Sequence, residues 1–143
     1  MSRIINISEA ASIAIHSMAL IAGTSRQINA AYISEQFNFS KNHSAKVLQV
    51  LVKAGFLSST RGPTGGFKLN VDAGSVTLMD IYEVIEGKIS SRMCNMCTDD
   101  CIFYPCIYGD LGERVKNDVK DYLDSTTIKD LKLNLITQKT QKL

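Results

Sequence analysis

Residues 40–71 read SKNHSAKVLQVLVKAGFLSSTRGPTGGFKLNV, and this stretch decides the fold. Its first half predicts a helix that Ser40 caps and Gly55 ends. The predicted inward face of that helix consists of Val47, Leu48, Leu51 and Ala54. The second half predicts two short strands, 56–60 and 67–71, around a connection rich in glycine and proline. A hairpin directly after a helix-turn-helix is a wing.

The flanking sequence supplies the other helices. Apolar residues at helical spacing predict a helix over 8–22 with Ser8 as its cap, and 29–36 reads as a second, short helix that precedes the turn before Ser40. Beyond the wing, Thr77 is the expected cap of a helix over 78–86. A long helix over 108–123 follows, with a narrow apolar stripe of Leu111, Val115, Val119, Tyr122 and Leu123.

These elements predict a mainly α fold with a small β-hairpin wing: a winged helix-turn-helix plus a long dimerisation helix. We expect a DNA-binding domain over 1–87, a cysteine-rich cofactor loop over 88–107, and a dimerisation helix with a tail over 108–143. A helix with so narrow an apolar stripe usually pairs with another helix, and a two-fold homodimer is the simplest arrangement.

Charge is unevenly distributed along the chain, although the net charge is only +2. Between residues 26 and 68, Glu35 is opposed by six basic residues, namely Arg26, Lys41, Lys46, Lys53, Arg61 and Lys68. Such a block suits a phosphate backbone. The region from 99 to 130 carries more acidic than basic residues and should avoid a phosphate backbone.

The recognition helix and the wing provide the expected DNA contacts. Short polar side chains at the start of such a helix, here Asn42, His43 and Ser44, suit base edges in the major groove, while lysines suit phosphates. An arginine on the wing, Arg61, suits the adjacent minor groove. The predicted DNA-contacting set is Lys41, Asn42, His43, Ser44, Lys46, Gln49, Arg61 and Thr64.

All four cysteines of the chain lie within thirteen positions, as Cys94, Cys97, Cys101 and Cys106. Thiolates gathered in one loop are the usual ligands of iron–sulfur clusters and of tetrahedral zinc.

The apolar stretch near the N-terminus is too short to cross a bilayer and lacks the features of a secretory signal, so we expect a cytoplasmic protein without a membrane partner. Clustered cysteines there favour metal binding or redox sensing over structural disulfides.

Four segments together resemble the Rrf-type winged-helix regulators, a family that includes the iron–sulfur cluster regulator and the nitric-oxide-sensitive repressor. The resemblance rests on Ala54-Gly55-Phe56-Leu57, Arg61-Gly62-Pro63-Thr64-Gly65-Gly66-Phe67, the run from Val76 to Gly87, and Cys106-Ile107-Tyr108-Gly109-Asp110-Leu111. It implies a homodimer joined through the long helix, a palindromic double-stranded DNA operator, and a [2Fe–2S] or [4Fe–4S] cluster held by the cysteine loop.

The ligand pattern departs from that of the family. Cluster-bearing relatives use three cysteines about five residues apart and a fourth ligand from the first helix of the partner subunit. Here the spacings between the cysteines differ from that pattern, and Ser12 occupies the position where relatives have an acidic ligand. Glu9, Ser12 and His16 share one helix face. The resemblance implies His16 as a candidate ligand beside the four cysteines, because a cluster-bearing relative has a histidine there.

Two other interpretations remain open at this point. The same fold could act as a thiol–disulfide or zinc switch without a cluster, since Cys94-x-x-Cys97 is compatible with either. It could also be a protein-binding adaptor that keeps the winged fold but regulates through a partner enzyme, although the basic face and the wing argue against this. An enzyme is not expected, because the chain has no phosphate loop, nucleophile motif or hydrolase histidine pair.

Overall fold

The computed structural model describes residues 5–94 and 101–131 and confirms the predicted fold class. Within those ranges five helices flank one antiparallel hairpin. Their order is α1 Glu9–Ala22, α2 Ala30–Phe37, α3 Lys41–Lys53, β1 Leu57–Thr60, β2 Gly66–Leu69, α4 Leu78–Glu86 and α5 Leu111–Ser125. The tail expected at the end of the chain, beyond 131, lies outside the described residues.

Side-chain caps start the first four helices, because the leading backbone N–H groups of a helix need acceptors. Ser8, Asn29 and Ser40 accept from the backbone N–H three residues on, as does Thr77. Asp80 returns the bond of Thr77 and closes a capping box. The predicted caps Ser8, Ser40 and Thr77 are confirmed.

The wing is fixed to the body of the protein by a third backbone partner. Strands β1 and β2 pair from Leu57↔Leu69 to Thr60↔Gly66, and Ile28 exchanges backbone hydrogen bonds of 3.3 and 2.8 Å with Phe67. A Cβ on Gly66 would lie 2.6 Å from the carbonyl oxygen of Ile28, which only glycine avoids. This close approach explains the second glycine of the Gly-Gly pair.

One hydrophobic core joins the helices and the wing. Its fully buried members include Ile13 and Met18 of α1, Leu48 of α3 and Ile81 of α4. Ile128, beyond α5, is also fully buried, and its N–H donates to the carbonyl oxygen of Val76 at 3.0 Å. The segment after α5 therefore returns to the core of the winged helix, which binds the last helix to the DNA-binding part.

Two boundary predictions were wrong. Ala54 was expected to face inward, but α3 ends at Lys53 and Ala54 is its exposed C-cap. The long helix was expected from Tyr108, but it begins at Leu111 and continues to Ser125. Gly109 has φ of +55°, a left-handed conformation that an α-helix does not contain, so the chain turns there before α5 starts.

Candidate DNA interface and cysteine loop

The exposed face of α3 presents most of the predicted DNA contacts together. Lys41, Asn42, Lys46 and Gln49 are exposed, and Lys53 continues the same exposed series at the helix C-terminus. A helix packs on its apolar side, here against α1, α2 and α4, so its polar residues are left to solvent on one side. The face combines amide groups suited to base edges with ammonium groups suited to phosphates.

Ser44 does not belong to that face. Its side chain has 0% exposure, and its hydroxyl has no hydrogen-bond partner among the described residues. The expectation that Ser44 lies at the DNA surface therefore disagrees with its position. The error came from counting Ser44 with its polar neighbours, although it lies three residues before the inward Val47 and shares that side of α3.

His43 makes a contact that the sequence did not suggest. Its Nδ1 lies 3.3 Å from Oε2 of Glu9 in the first turn of α1, and the two side chains are 38% and 60% exposed. The sequence places Glu9 on one helix face with Ser12 and His16 and gives no link from it to α3. Periodicity reports which residues share a face within one helix, so it gives no signal for a pair that joins two helices.

The wing places Arg61 and Thr64 in solvent, as predicted for a DNA-contacting hairpin. Between the wing and the start of α2 lies a solvent-open cleft of about 210 Å³. Arg26 and Asn29 line it on the helix side, and Thr64 lines it on the wing side. The Thr60 hydroxyl donates to Gln27 at 2.6 Å, which adds a side-chain contact to the backbone attachment of the wing.

The cysteine loop connects α4 to α5. Cys94 and Cys101 are half-buried and Cys106 is exposed, whereas Cys97 lies outside the described residues. No group of three or more His, Cys, Asp or Glu residues within 5–94 and 101–131 has the arrangement needed to hold a metal ion. The cysteines that the structure describes lie in this loop but are not assembled into a metal site.

Gly112 allows the first part of the cysteine loop to pack on α5. This residue of α5 is buried, and a Cβ added to it would lie 2.1 Å from the carbonyl oxygen of Ser91 and 3.0 Å from Cγ of Met93. The chain just before Cys94 thus lies directly on the first turn of α5. Sequence reasoning missed this role, since a lone glycine in a helix is usually read only as a weak point.

His16 is exposed on α1, where its ring is oriented by neighbours. Nδ1 lies 2.6 Å from the carbonyl oxygen of Ser12, and the ring contacts Phe37 and Phe39 edge-on at centroid distances of 5.1 and 6.1 Å. Those phenylalanines flank Asn38, the left-handed C-cap that makes the turn of the helix-turn-helix. His16 therefore links α1 to that turn.

A second surface is apolar. Seven large hydrophobic side chains between 102 and 122 are exposed, with Tyr104 fully and Ile102 89% accessible. We call this set the loop–α5 surface: Ile102, Phe103, Tyr104, Ile107, Tyr108, Leu111 and Tyr122. An accumulation of large exposed apolar side chains in one region of the chain is a feature of many protein interaction sites.

These features together define a winged helix-turn-helix transcription regulator: a polar and basic recognition helix, an anchored wing, and a separate loop and helix with their own contacts. The chain belongs to the Rrf2 family, because the family model described as "Iron-dependent Transcriptional regulator" matches residues 7–134. The members are DNA-binding regulators and not enzymes, which confirms that expectation. None of the described helices is long and apolar enough to cross a membrane.

Individual relatives agree with this family. A protein of Aquifex aeolicus named as an HTH-type transcriptional regulator is 31% identical over 109 residues, which cover 74% of this chain and 76% of that protein. IscR of Vibrio cholerae is 25% identical over 104 residues, or 73% of this chain and 60% of IscR. The structure of CymR, the global cysteine regulator of B. subtilis, superposes with a TM-score of 0.77 at 28% identity, covering 91% of this chain and 98% of CymR.

Proposed function

We propose that this transcription regulator binds a palindromic DNA operator as a homodimer in the cytoplasm, and that a cysteine-ligated iron–sulfur cluster, [2Fe–2S] or [4Fe–4S], controls its affinity. The observation that carries the proposal is the seating of the cysteine loop on α5 at Gly112, beside the loop–α5 surface. Whatever reorganises this loop acts where a second protomer would pack. The division into 1–87, 88–107 and 108–143 is part of the same proposal.

The available donors fit a thiolate-rich group. Cys94, Cys97, Cys101 and Cys106 supply up to four sulfur ligands, and the loop that carries them contains no regular helix or strand over its described part. Such a cluster takes four protein ligands, and His16 would be an alternative to one of the thiolates, because its Nδ1 contact with a carbonyl oxygen leaves Nε2 available, as is usual for histidine ligands. A bound cluster would supply a redox-sensitive centre.

The chain's own residues would convert loop packing into DNA affinity. Ser91 and Met93 lie against α5, and the loop–α5 surface would bury its tyrosines and isoleucines against the same surface of a partner. A repacked loop would then change the spacing of the two recognition helices. Half-sites lie about 34 Å apart, so a small change in that spacing costs several kcal/mol of binding.

The similarity to CymR favours a second candidate, a regulator of the same fold whose thiols act without a cluster by disulfide formation or by holding zinc. The exposed Cys106 is accessible to oxidants, which suits such a switch. The two candidates share the DNA interface and the dimer, and they differ only in what the loop binds.

Anaerobic purification of the full chain separates these candidates. We expect a brown protein with matched iron and sulfide per chain, whose absorption is lost in variants that lack a ligand. Serine variants of each cysteine and His16→Ala then identify the ligands. A comparison of Cys94→Ser with Cys97→Ser tests whether one of these two thiols is not a ligand. A colourless protein, without iron after reconstitution, assigns the thiol or zinc switch.

A second experiment tests the regulation. The operator affinity of the cluster-loaded and cluster-free protein is compared by fluorescence anisotropy over a range of salt concentrations, because phosphate contacts give affinity a steep salt dependence. We expect at least a tenfold difference between the two forms at one salt concentration, about 1.4 kcal/mol. Equal affinities would refute control by the cluster while leaving DNA binding intact.

A further inference from the structure

We propose that Glu9 is a positioning residue that fixes the ring of His43 and thereby sets the base preference at one position of each operator half-site. The inference rests on the proposed DNA binding and adds a specificity determinant outside the recognition helix. Glu9 lies on α1, so its effect on DNA reading passes through the imidazole of His43 at 3.3 Å.

His43 lies in the first turn of α3, the part of a recognition helix that enters the major groove. It is the third residue of the helix, and its backbone N–H donates to the capping Ser40 hydroxyl at 3.4 Å. N-terminal residues of a recognition helix contact base edges. Lys41 and Asn42, which precede it, are exposed, and the ring of His43 is half-exposed beside them.

The contact with Glu9 determines which ring nitrogen faces the base. A carboxylate accepts only, so Nδ1 at 3.3 Å from Glu9 is the nitrogen that carries a proton toward it, and in the neutral tautomer that this contact selects Nε2 is the acceptor left to face the base. In the major groove the complementary donors are the exocyclic amino groups of adenine and cytosine. Without Glu9 the ring would be free to rotate and to exchange tautomers, and an acceptor and a donor would be presented alternately.

The charge of Glu9 makes the proposal distinguishable from a merely structural role. A carboxylate beside a DNA-binding face repels phosphates, so its removal should raise affinity for any duplex. Loss of a structural contact would instead weaken binding to every sequence. The expected signature of Glu9→Ala is therefore tighter general binding together with a flatter base preference.

The experiment selects binding sites from a randomised duplex pool with the full-length protein and its variants. The wild-type protein should show one position per half-site at which adenine or cytosine is preferred about tenfold, and His43→Ala should abolish that preference. Glu9→Ala should reduce it to less than about threefold, whereas Glu9→Gln should keep it, since the amide oxygen also accepts from Nδ1–H. The double variant Glu9→Ala/His43→Ala should match His43→Ala.

Glu35→Ala is the matched control, because it removes the one acidic residue of the basic region 26–68 from an exposed helix position. It should raise general affinity without changing any base preference. Circular dichroism confirms that each variant is folded, and Glu9→Met, which also removes the acceptor, replaces Glu9→Ala if that variant is not folded.

Three results would overturn the inference. An unchanged preference in Glu9→Ala, or a preference for guanine at the His43-dependent position, refutes it while leaving regulatory DNA binding in place. A wild-type protein that enriches no sequence refutes the proposed function, and the inference with it.

Discussion

The anchoring of the wing predicts a large effect from one added methyl group. In Gly66→Ala the new Cβ would lie 2.6 Å from the carbonyl oxygen and 2.7 Å from the carbonyl carbon of Ile28. Both are backbone atoms, so no side-chain rotation relieves the overlap. The strand must move away from Ile28, and the two hydrogen bonds between Ile28 and Phe67 must break or lengthen.

The magnitude follows from those bonds. Each buried backbone hydrogen bond contributes about 1 kcal/mol net, so losing both costs about 2 kcal/mol. Partial exposure of the buried Phe67 side chain adds about 1 kcal/mol of lost apolar burial. We therefore expect Gly66→Ala to lower the free energy of unfolding by about 3 kcal/mol, at the upper end of what single substitutions usually cost.

Urea denaturation at fixed protein concentration measures this change, with two glycines as controls. Gly62→Ala meets no atom within 4 Å but has φ of +108°, so it should cost only the backbone strain of about 1–2 kcal/mol. Gly74→Ala has a Cβ in ordinary contact with Asp72 and should be close to neutral. If Gly66→Ala is no more destabilising than Gly62→Ala, the contact with Ile28 does not hold the wing.

Three further changes test other parts of the structure. Ser44→Ala removes a buried hydroxyl that has no partner among the described residues, so the free energy of unfolding should rise by about 1 kcal/mol. The DNA sequence that the protein selects should stay the same, and a lower free energy of unfolding would show that the hydroxyl is hydrogen-bonded. Gly112→Ala should displace Ser91 and Met93 from α5 without affecting the wing, and so change the absorption of a bound cofactor or the rate of cysteine labelling. Unchanged absorption and labelling would contradict the packing of the loop on Gly112. Hydrogen bonds from the Thr127 N–H and hydroxyl lower the pKa of Asp130 below its ordinary value of 3.8. The wild-type protein should therefore be more stable than Asp130→Asn at neutral pH, and this difference should disappear as acid protonates the carboxylate in the folded protein. A difference that persists in acid would exclude this cap.

Local rules were sufficient for most of the fold. Capping residues and apolar periodicity gave the starts of α1, α3 and α4, because both signals lie within one helix. The same rules failed at Tyr108, where the left-handed Gly109 separates a turn from α5. They also failed at Ser44, since polarity alone does not show which side of a helix a residue occupies.

The candidate sites divide in the same way. The exposed lysines of α3 follow from sequence, because solvent exposure on one helix face is a periodic property. The contact of Glu9 with His43 and the seating of Ser91 on Gly112 depend on how separate elements pack, and no spacing along the chain encodes them. Cys97 stays a prediction, as it lies outside the described residues.

The arrangement of the core bears on how a signal in the loop would reach DNA. Helix α5 packs on α4, α4 packs on α1, and α1 and α4 both pack on α3, with Ile13, Leu48, Ile81 and Ile128 fully buried among them. Close-packed interiors transmit force without deforming continuously. A repacked loop is therefore expected to reorient whole protomers about the loop–α5 surface, and the recognition helices would move as rigid parts of each protomer.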